Sequence, residues 1–193
     1  MKESNTSLGT WLSLYNEAIA ELLVNAGYEW VTVDLEHSAI TIAEAEKLIR
    51  VIDLAGAKPY VRVSSNDAVQ IKRVLDAGAK GIIVPMVCSP SDVANAISAI
   101  HYPPKGTRGM GLARAQGYGE SVAKENYIKN ISKEIDLYIQ LESKEALEHL
   151  DAMFSQDING YMIGPYDLSA SMGIPGDFTN PDFIEAENSI LEV

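Results

Sequence analysis

Short apolar runs recur along the chain, separated by stretches whose apolar residues return every three or four positions. The first kind reads as strands at GTWLSLY (9–15), WVTVDLE (30–36), PYVRVS (59–64), GIIVPMV (81–87), DLYIQLE (136–142) and GYMIGPY (160–166). The second kind reads as helices in NEAIAELLVNAG, TIAEAEKLIRVIDLAG, DAVQIKRVLDAG, PSDVANAISAI, SKEALEHLDAMF and PDFIEAENSILEV. Thr41, Asp67, Ser91 and Ser143 stand where helix-starting residues belong, and three helical patterns close on Ala-Gly. Strict alternation with short connections predicts parallel strands with right-handed crossovers, an α/β class. Six such units are visible. An open doubly wound sheet and a TIM-type (β/α) barrel both satisfy that count. No Gly-rich fingerprint follows the first strand, which weighs against a dinucleotide-binding sheet and any nucleotide cofactor. The barrel is favoured, with residues 1–193 as a single domain.

Parity along the strands sharpens this choice, because alternate residues face opposite ways. Val31, Val33 and Leu35 share one face of the second strand, while Thr32, Asp34 and Glu36 share the other. In the third, Val61 and Val63 oppose Tyr60, Arg62 and Ser64; in the fifth, Leu137, Ile139 and Leu141 oppose Asp136, Tyr138, Gln140 and Glu142. Each strand thus has an aliphatic face suited to lie under helices and a polar face that becomes more charged toward its C-terminal end. In a barrel these ends converge on one rim, where active sites are built. Asp34, Glu36, His37, Arg62, Gln140, Glu142 and Asp167 meet there. Singly, each is an ordinary charge at a strand end; together they point to a site.

Composition narrows the chemistry. The chain has 193 residues, 47% hydrophobic and 22% charged, which is ordinary for a globular protein. Its net charge of −12 argues against nucleic acid or an anionic membrane as partner, and an anionic substrate would need a local cation. The single Cys88 excludes an internal disulfide and a cysteine-rich metal site, and reads as a small buried side chain. No apolar run reaches the length of a membrane span, and MKESNTSLGT lacks the basic-then-apolar order of a signal peptide, so a cytoplasmic protein is expected.

Two carboxylates on adjacent strands, without cysteine, suit a hard divalent cation such as Mg²⁺, Mn²⁺ or Co²⁺ held by oxygen. Glu142 and Asp167 are the expected ligands, leaving open positions that a 2-oxo acid could chelate. Arg62 supplies a forked cation for the substrate carboxylate. His37 is the expected acid/base, with Asp34 three residues earlier orienting it, and Glu36 is expected to hydrogen-bond waters on the metal. His101 and His149 sit on helices and are less suggestive. Lys58 and Lys80 open strands, at the wrong rim for a Schiff base; only Lys144 is near a C-terminal strand end.

VDLEH, PYVRVS with NDAVQIKRVLDAGAKGIIVPMV, YPPKGTRG, IQLES and IGPYDLSASMG, in unbroken order across about residues 8–185, resemble the HpcH/HpaI aldolase family of class II pyruvate aldolases. The resemblance implies a metal-dependent (β/α)₈ barrel that reversibly cleaves 2-oxo-4-hydroxy acids to pyruvate, or a related 2-oxo acid, and an aldehyde through a metal-stabilised enolate. It implies Glu142 and Asp167 as metal ligands, Arg62 on the pyruvate moiety, and His37 with Asp34 as acid/base. Gln140, Gly164 and Tyr166 would line the pocket, and Asp76 would reach a neighbouring subunit's site in a homo-oligomer. One departure stands out. ILEV193 closes the helix after strand six, so strands seven and eight are not seen, and a fragment or a gap covered by partner chains is expected. Two alternatives remain open: an inactive barrel remnant with a binding or assembly role, and an acyl-CoA lyase related to citrate lyase β-chains. The glycine-rich GMGLARAQGYG (109–119) reads as a mobile loop over the site.

Overall fold

The computed structural model describes residues 6–121 and 134–193; the first five residues, on which part of the leader-peptide reading rests, lie outside them. Six strands run in chain order as one parallel sheet: β1 (Gly9–Leu12), β2 (Trp30–Asp34), β3 (Lys58–Arg62), β4 (Gly81–Val84), β5 (Asp136–Leu141) and β6 (Gly160–Ile163). Between and after them lie α1 (Glu17–Asn25), α2 (Ile42–Ala55), α3 (Ala68–Ala77), α4 (Pro90–Ile100), α5 (Leu150–Phe154), α6 (Pro165–Ser171) and α7 (Pro181–Leu191). The sheet curves as an incomplete barrel, with β1 and β6 paired on one side only among the described residues. No helix among these residues is long and apolar enough to cross a membrane.

Parity sorts the two faces as expected. Val31, Val33, Val61, Val63, Leu137, Ile139 and Leu141 are buried with Leu48, Ile49, Ile52, Ile71 and Leu75 of the helices in one core. The opposite face is layered by size. Trp30 and Tyr60 stack at 5.6 Å, Tyr60 and Tyr138 lie 5.8 Å apart, and glycines on the neighbouring strands make room. A Cβ on Gly81 would come within 2.5 Å of the Tyr60 ring, and one on Gly160 within 3.2 Å of Tyr138. Below these rings the Tyr60 hydroxyl and Lys58 Nζ donate to Asp136 Oδ2, at 2.5 and 3.2 Å.

Local chemistry sets the helix ends. Thr41 and Glu44 form a reciprocal capping box, Asp67 accepts from two N–H groups, and Gly56 and Gly78 end α2 and α3 at φ 107° and 111°, a region an L-residue enters at a cost. Four expectations are corrected. Ser89, not Ser91, caps α4, because Pro90 takes the first helical position, where its missing N–H costs nothing. SKEALEHLDAMF is a 3₁₀ turn over Lys144–His149 followed by α5, and GPYDLSAS forms an additional helix, α6. Strands stop earlier than the apolar runs, so Glu36, His37, Glu142, Tyr166 and Asp167 stand beyond strand ends. Finally, GMGLARAQGYG does not cover the rim. It packs on the helical layer, where Arg108 and Gln116 donate to Asp76 at 2.7 and 3.0 Å and Arg114 pairs with Asp53.

Candidate active site

The β2–β3 register sets Asp34 directly beside Arg62 at the C-terminal ends of their strands. Arg62 Nε and Nη2 donate to the two Asp34 oxygens at 2.9 and 2.7 Å, a fork-to-fork pair that a lysine could not make. Its Nη1 donates to Gln140 Oε1 at 3.3 Å and lies 3.1 Å from Glu36 Oε2, while the Trp11 ring covers the guanidinium at 4.7 Å. Burial disfavours charge on both partners. Hydrogen bonding to Arg62 and to backbone N–H groups nevertheless holds the Asp34 carboxyl below its ordinary range, and Asp34 keeps Arg62 protonated.

His37 is not oriented by the Asp34 side chain. The Asp34 carboxylate is occupied by Arg62 and accepts the backbone N–H of Glu36 at 3.0 Å and of His37 at 3.3 Å, which turns the chain out of β2. The imidazole projects outward with 62% of its surface exposed, and Glu36 Oε2 is 3.8 Å from its Nε2. The reason is geometric: a side chain on the inward face of the strand meets the neighbouring strand's arginine before it meets a residue past the turn. Glu36 is itself pushed above its ordinary pKa, chiefly by burial and, in part, by the Glu142 charge, against the lowering effect of Arg62.

Glu142, immediately after β5, is buried, and its Oε1 accepts the Met86 backbone N–H at 2.6 Å while Oε2 accepts from Gln140 Nε2 at 2.5 Å. Met86 delivers that N–H from a left-handed backbone at φ 51°, unusual for a residue with a side chain. Burial raises the Glu142 carboxyl, and the Asp167 charge raises it further. Asp167 lies in the first turn of α6, and Gly164 precedes that helix. A Cβ on Gly164 would fall 2.6 Å from Glu142 Oε2, so only glycine leaves this carboxylate approachable. A buried carboxylate raised by burial and by a neighbouring acid, open at a glycine, fits a divalent cation bound by oxygen with further positions left for water or substrate. Among the described residues no group of three or more His, Cys, Asp or Glu side chains is placed to hold an ion.

A cleft of about 460 Å³ opens here, lined by His37, Arg62, Gln140, Gly164, Tyr166 and Asp167 together with Trp11, Met162, Ile163 and Pro165. The structure thus gathers the expected rim residues; Asp76, expected to reach a neighbouring subunit's site, lies away from this cleft. It sits on α3, pairs with Arg108 at 2.7 Å and lines a separate hollow with Arg73, Arg114 and Tyr118. Trp11 and Met86 were missed. Trp11 shares the inward parity of the first strand, a signal present in GTWLSLY, whereas nothing local announces the backbone twist at Met86.

Known proteins resemble this chain over nearly its full length. A hydroxypyruvate/pyruvate aldolase of Sagittula stellata is 38% identical over 184 residues, covering 94% of this chain and 72% of that protein. A 2-keto-3-deoxy-L-rhamnonate aldolase of Klebsiella pneumoniae is 41% identical over 180 residues, covering 92% of this chain and 66% of that protein. Among solved structures, an HpcH/HpaI aldolase/citrate lyase family protein of Burkholderia cenocepacia superposes with a TM-score of 0.90 at 30% identity, over 99% of this chain and 77% of that one. The family model for HpcH/HpaI aldolase/citrate lyase matches residues 7–193, nearly the whole length on which the forked arginine and the paired carboxylates are placed. The chain belongs to that family.

Proposed function

We propose that the protein is a class II aldolase, a carbon–carbon lyase that reversibly cleaves a 2-oxo-4-hydroxy acid to pyruvate, or a related 2-oxo acid, and an aldehyde. The observation that carries this reading is the clamped guanidinium of Arg62 in the same cleft as Asp167 and Gln140, beside the buried Glu142. Cleavage leaves an enolate, and a fixed cation aimed at the developing charge lowers its barrier because it need not reorganise during reaction. Asp34, Glu36, Gln140 and Trp11 hold Arg62 in one orientation, so it can bind the 2-oxo acid and steady the enolate oxygen. Glu142 and Asp167 would hold the divalent cation, Mg²⁺, Mn²⁺ or Co²⁺, which when bound supplies Lewis acidity toward the 2-oxo group. His37, at the solvent side of the cleft, would take the proton of the 4-hydroxyl directly or through water. Its exposure lets it exchange that proton with bulk solvent. Tyr166 and the backbone at Gly164 would wall the substrate. We further propose a homo-oligomer in which Asp76 faces a neighbouring copy.

Proton exchange at the methyl group of pyruvate in D₂O, followed by NMR, tests the reading without knowledge of the aldehyde. Exchange is expected with added Mg²⁺ or Mn²⁺, is lost on chelation, and falls about 10²-fold or more in Arg62→Ala. A folded protein that exchanges no protons with metal present is not an aldolase; exchange that survives chelation removes the metal assignment.

A further inference from the structure

YPPKGTRG (102–109) and GMGLARAQGYG (109–119) line none of the cleft, yet three of their side chains are buried around one carboxylate. Arg108, 3% exposed, donates from Nη2 to Asp76 Oδ1 at 2.7 Å, and its guanidinium lies over the Tyr102 ring at 4.9 Å. Gln116, fully buried, donates from Nε2 to the same Oδ1 at 3.0 Å and to the Tyr102 hydroxyl at 2.8 Å, while its Oε1 accepts the Ala113 backbone N–H at 3.1 Å. These contacts close a ring through Asp76, Arg108, Tyr102 and Gln116. Only Asp76 keeps appreciable surface in it: 19% of its side chain is open, at the hollow it lines with Arg73, Arg114 and Tyr118.

Resting on the readings above, that the protein is an aldolase and that Asp76 faces a neighbouring copy, we infer that Arg108 and Gln116 are positioning residues that aim the Asp76 carboxylate at the neighbouring copy's cleft, so that each site is finished by a clamp on another chain. Apolar side chains would fasten this segment to α3 at lower cost, because desolvating a guanidinium consumes much of what its ion pair returns. What the charged and amide donors add is direction. Both bonds end on Oδ1, so they fix the carboxylate without using Oδ2. Fixing it matters for a group delivered across an interface, since a misplacement on the order of 1 Å can cost about 10²-fold in rate.

Mixed oligomers test this, because a merely structural arginine gives no recovery in them. Full-length copies carrying Arg62→Ala and copies carrying Arg108→Met are co-expressed with different tags, the mixed oligomer is isolated through both, and pyruvate methyl exchange is followed in D₂O with Mg²⁺. Each variant alone is expected to exchange at least about tenfold more slowly than the wild type. The mixed oligomer is expected to exchange severalfold faster than either parent, since the intact Arg62 of one copy meets the intact clamp of the other. Gln116→Met removes one bond to Asp76 and leaves Arg108 in place; it should be rescued in the same way from a smaller loss, and it carries the test if circular dichroism shows Arg108→Met unfolded. Asp76→Asn mixed with Arg108→Met should give no recovery, because both defects lie in the same half of the shared site. A mixed oligomer no faster than its parents, or Arg108→Met exchange equal to that of the wild type, overturns the inference and leaves the aldolase reading standing. Wild-type exchange by a protein that sediments as a monomer does the same. A folded wild type that exchanges no protons with metal present removes the aldolase reading, and the inference with it.

Discussion

Asp34 accepts four hydrogen bonds, two from Arg62 and two from the backbone N–H groups of Glu36 and His37. Burial taken alone would raise its carboxyl, but the Arg62 bond and the N–H groups more than offset this and its pKa is lowered. The sign of the linkage follows. A carboxyl lowered on folding stabilises the fold above its unfolded value, about 3.9, and that contribution disappears as pH falls through the window below it. Asp34→Asn is therefore expected to cost about 3 kcal/mol near neutral pH, where it leaves a buried guanidinium without its partner. The cost should shrink as pH falls below about 4 and toward the lowered pKa of the folded protein, where Asp34 takes up its proton in the wild type as well. Urea unfolding of both proteins across this range is the measurement; a difference independent of pH would contradict it. At this scale the sequence was legible in identity and parity: Asp34, Arg62, Gln140 and Glu142 were expected on the inward face and lie there. The choice of partner was not legible, because Asp34 reaches across the sheet to β3 and not along its own chain.

The strands carry a size code on their inward face. Gly81 lies in register with Tyr60, and Gly160 with Tyr138, so each ring occupies the volume a neighbouring side chain would fill. Gly81→Ala places a methyl group 2.5 Å from the Tyr60 ring and is expected to destabilise the protein by about 2 kcal/mol. Thermal or urea unfolding should show the same substitution costing less in a Tyr60→Leu background, a coupling of about 1 kcal/mol. Additive effects would show that the two positions do not share space. Helix positions and most caps were legible because a cap acts within one turn, as Thr41 and Glu44 do. The strand ends were not, since Pro85 and the reversed backbone at Met86 stop β4 while the apolar run continues. Nor was the seat of GMGLARAQGYG, which is decided by Asp76 and Asp53 on helices far earlier in the chain.

At the scale of the whole molecule, six parallel strands in chain order leave β1 and β6 each with one unpaired side among the described residues. Large apolar side chains such as Leu14, Leu22 and Leu54, more than 60% exposed, favour association. Sedimentation velocity is expected to give a mass above that of a monomer; a monomer at all concentrations would contradict this. Alternation, parity and charge, which depend on neighbours within a few residues, were sufficient by themselves to determine the α/β class, the face that lies under the helices and the rim where the charged groups gather. The family resemblance carried by VDLEH, IQLES and IGPYDLSASMG was also present in the sequence. Only the tertiary structure decided that Asp34 holds Arg62 and not His37, that a Met86 N–H and a missing Cβ at Gly164 shape the space around Glu142, and that Trp11 and Tyr166 give the cleft an uncharged wall. Each of these is a contact between strands or loops distant in sequence, set by register and backbone twist, which no local pattern records.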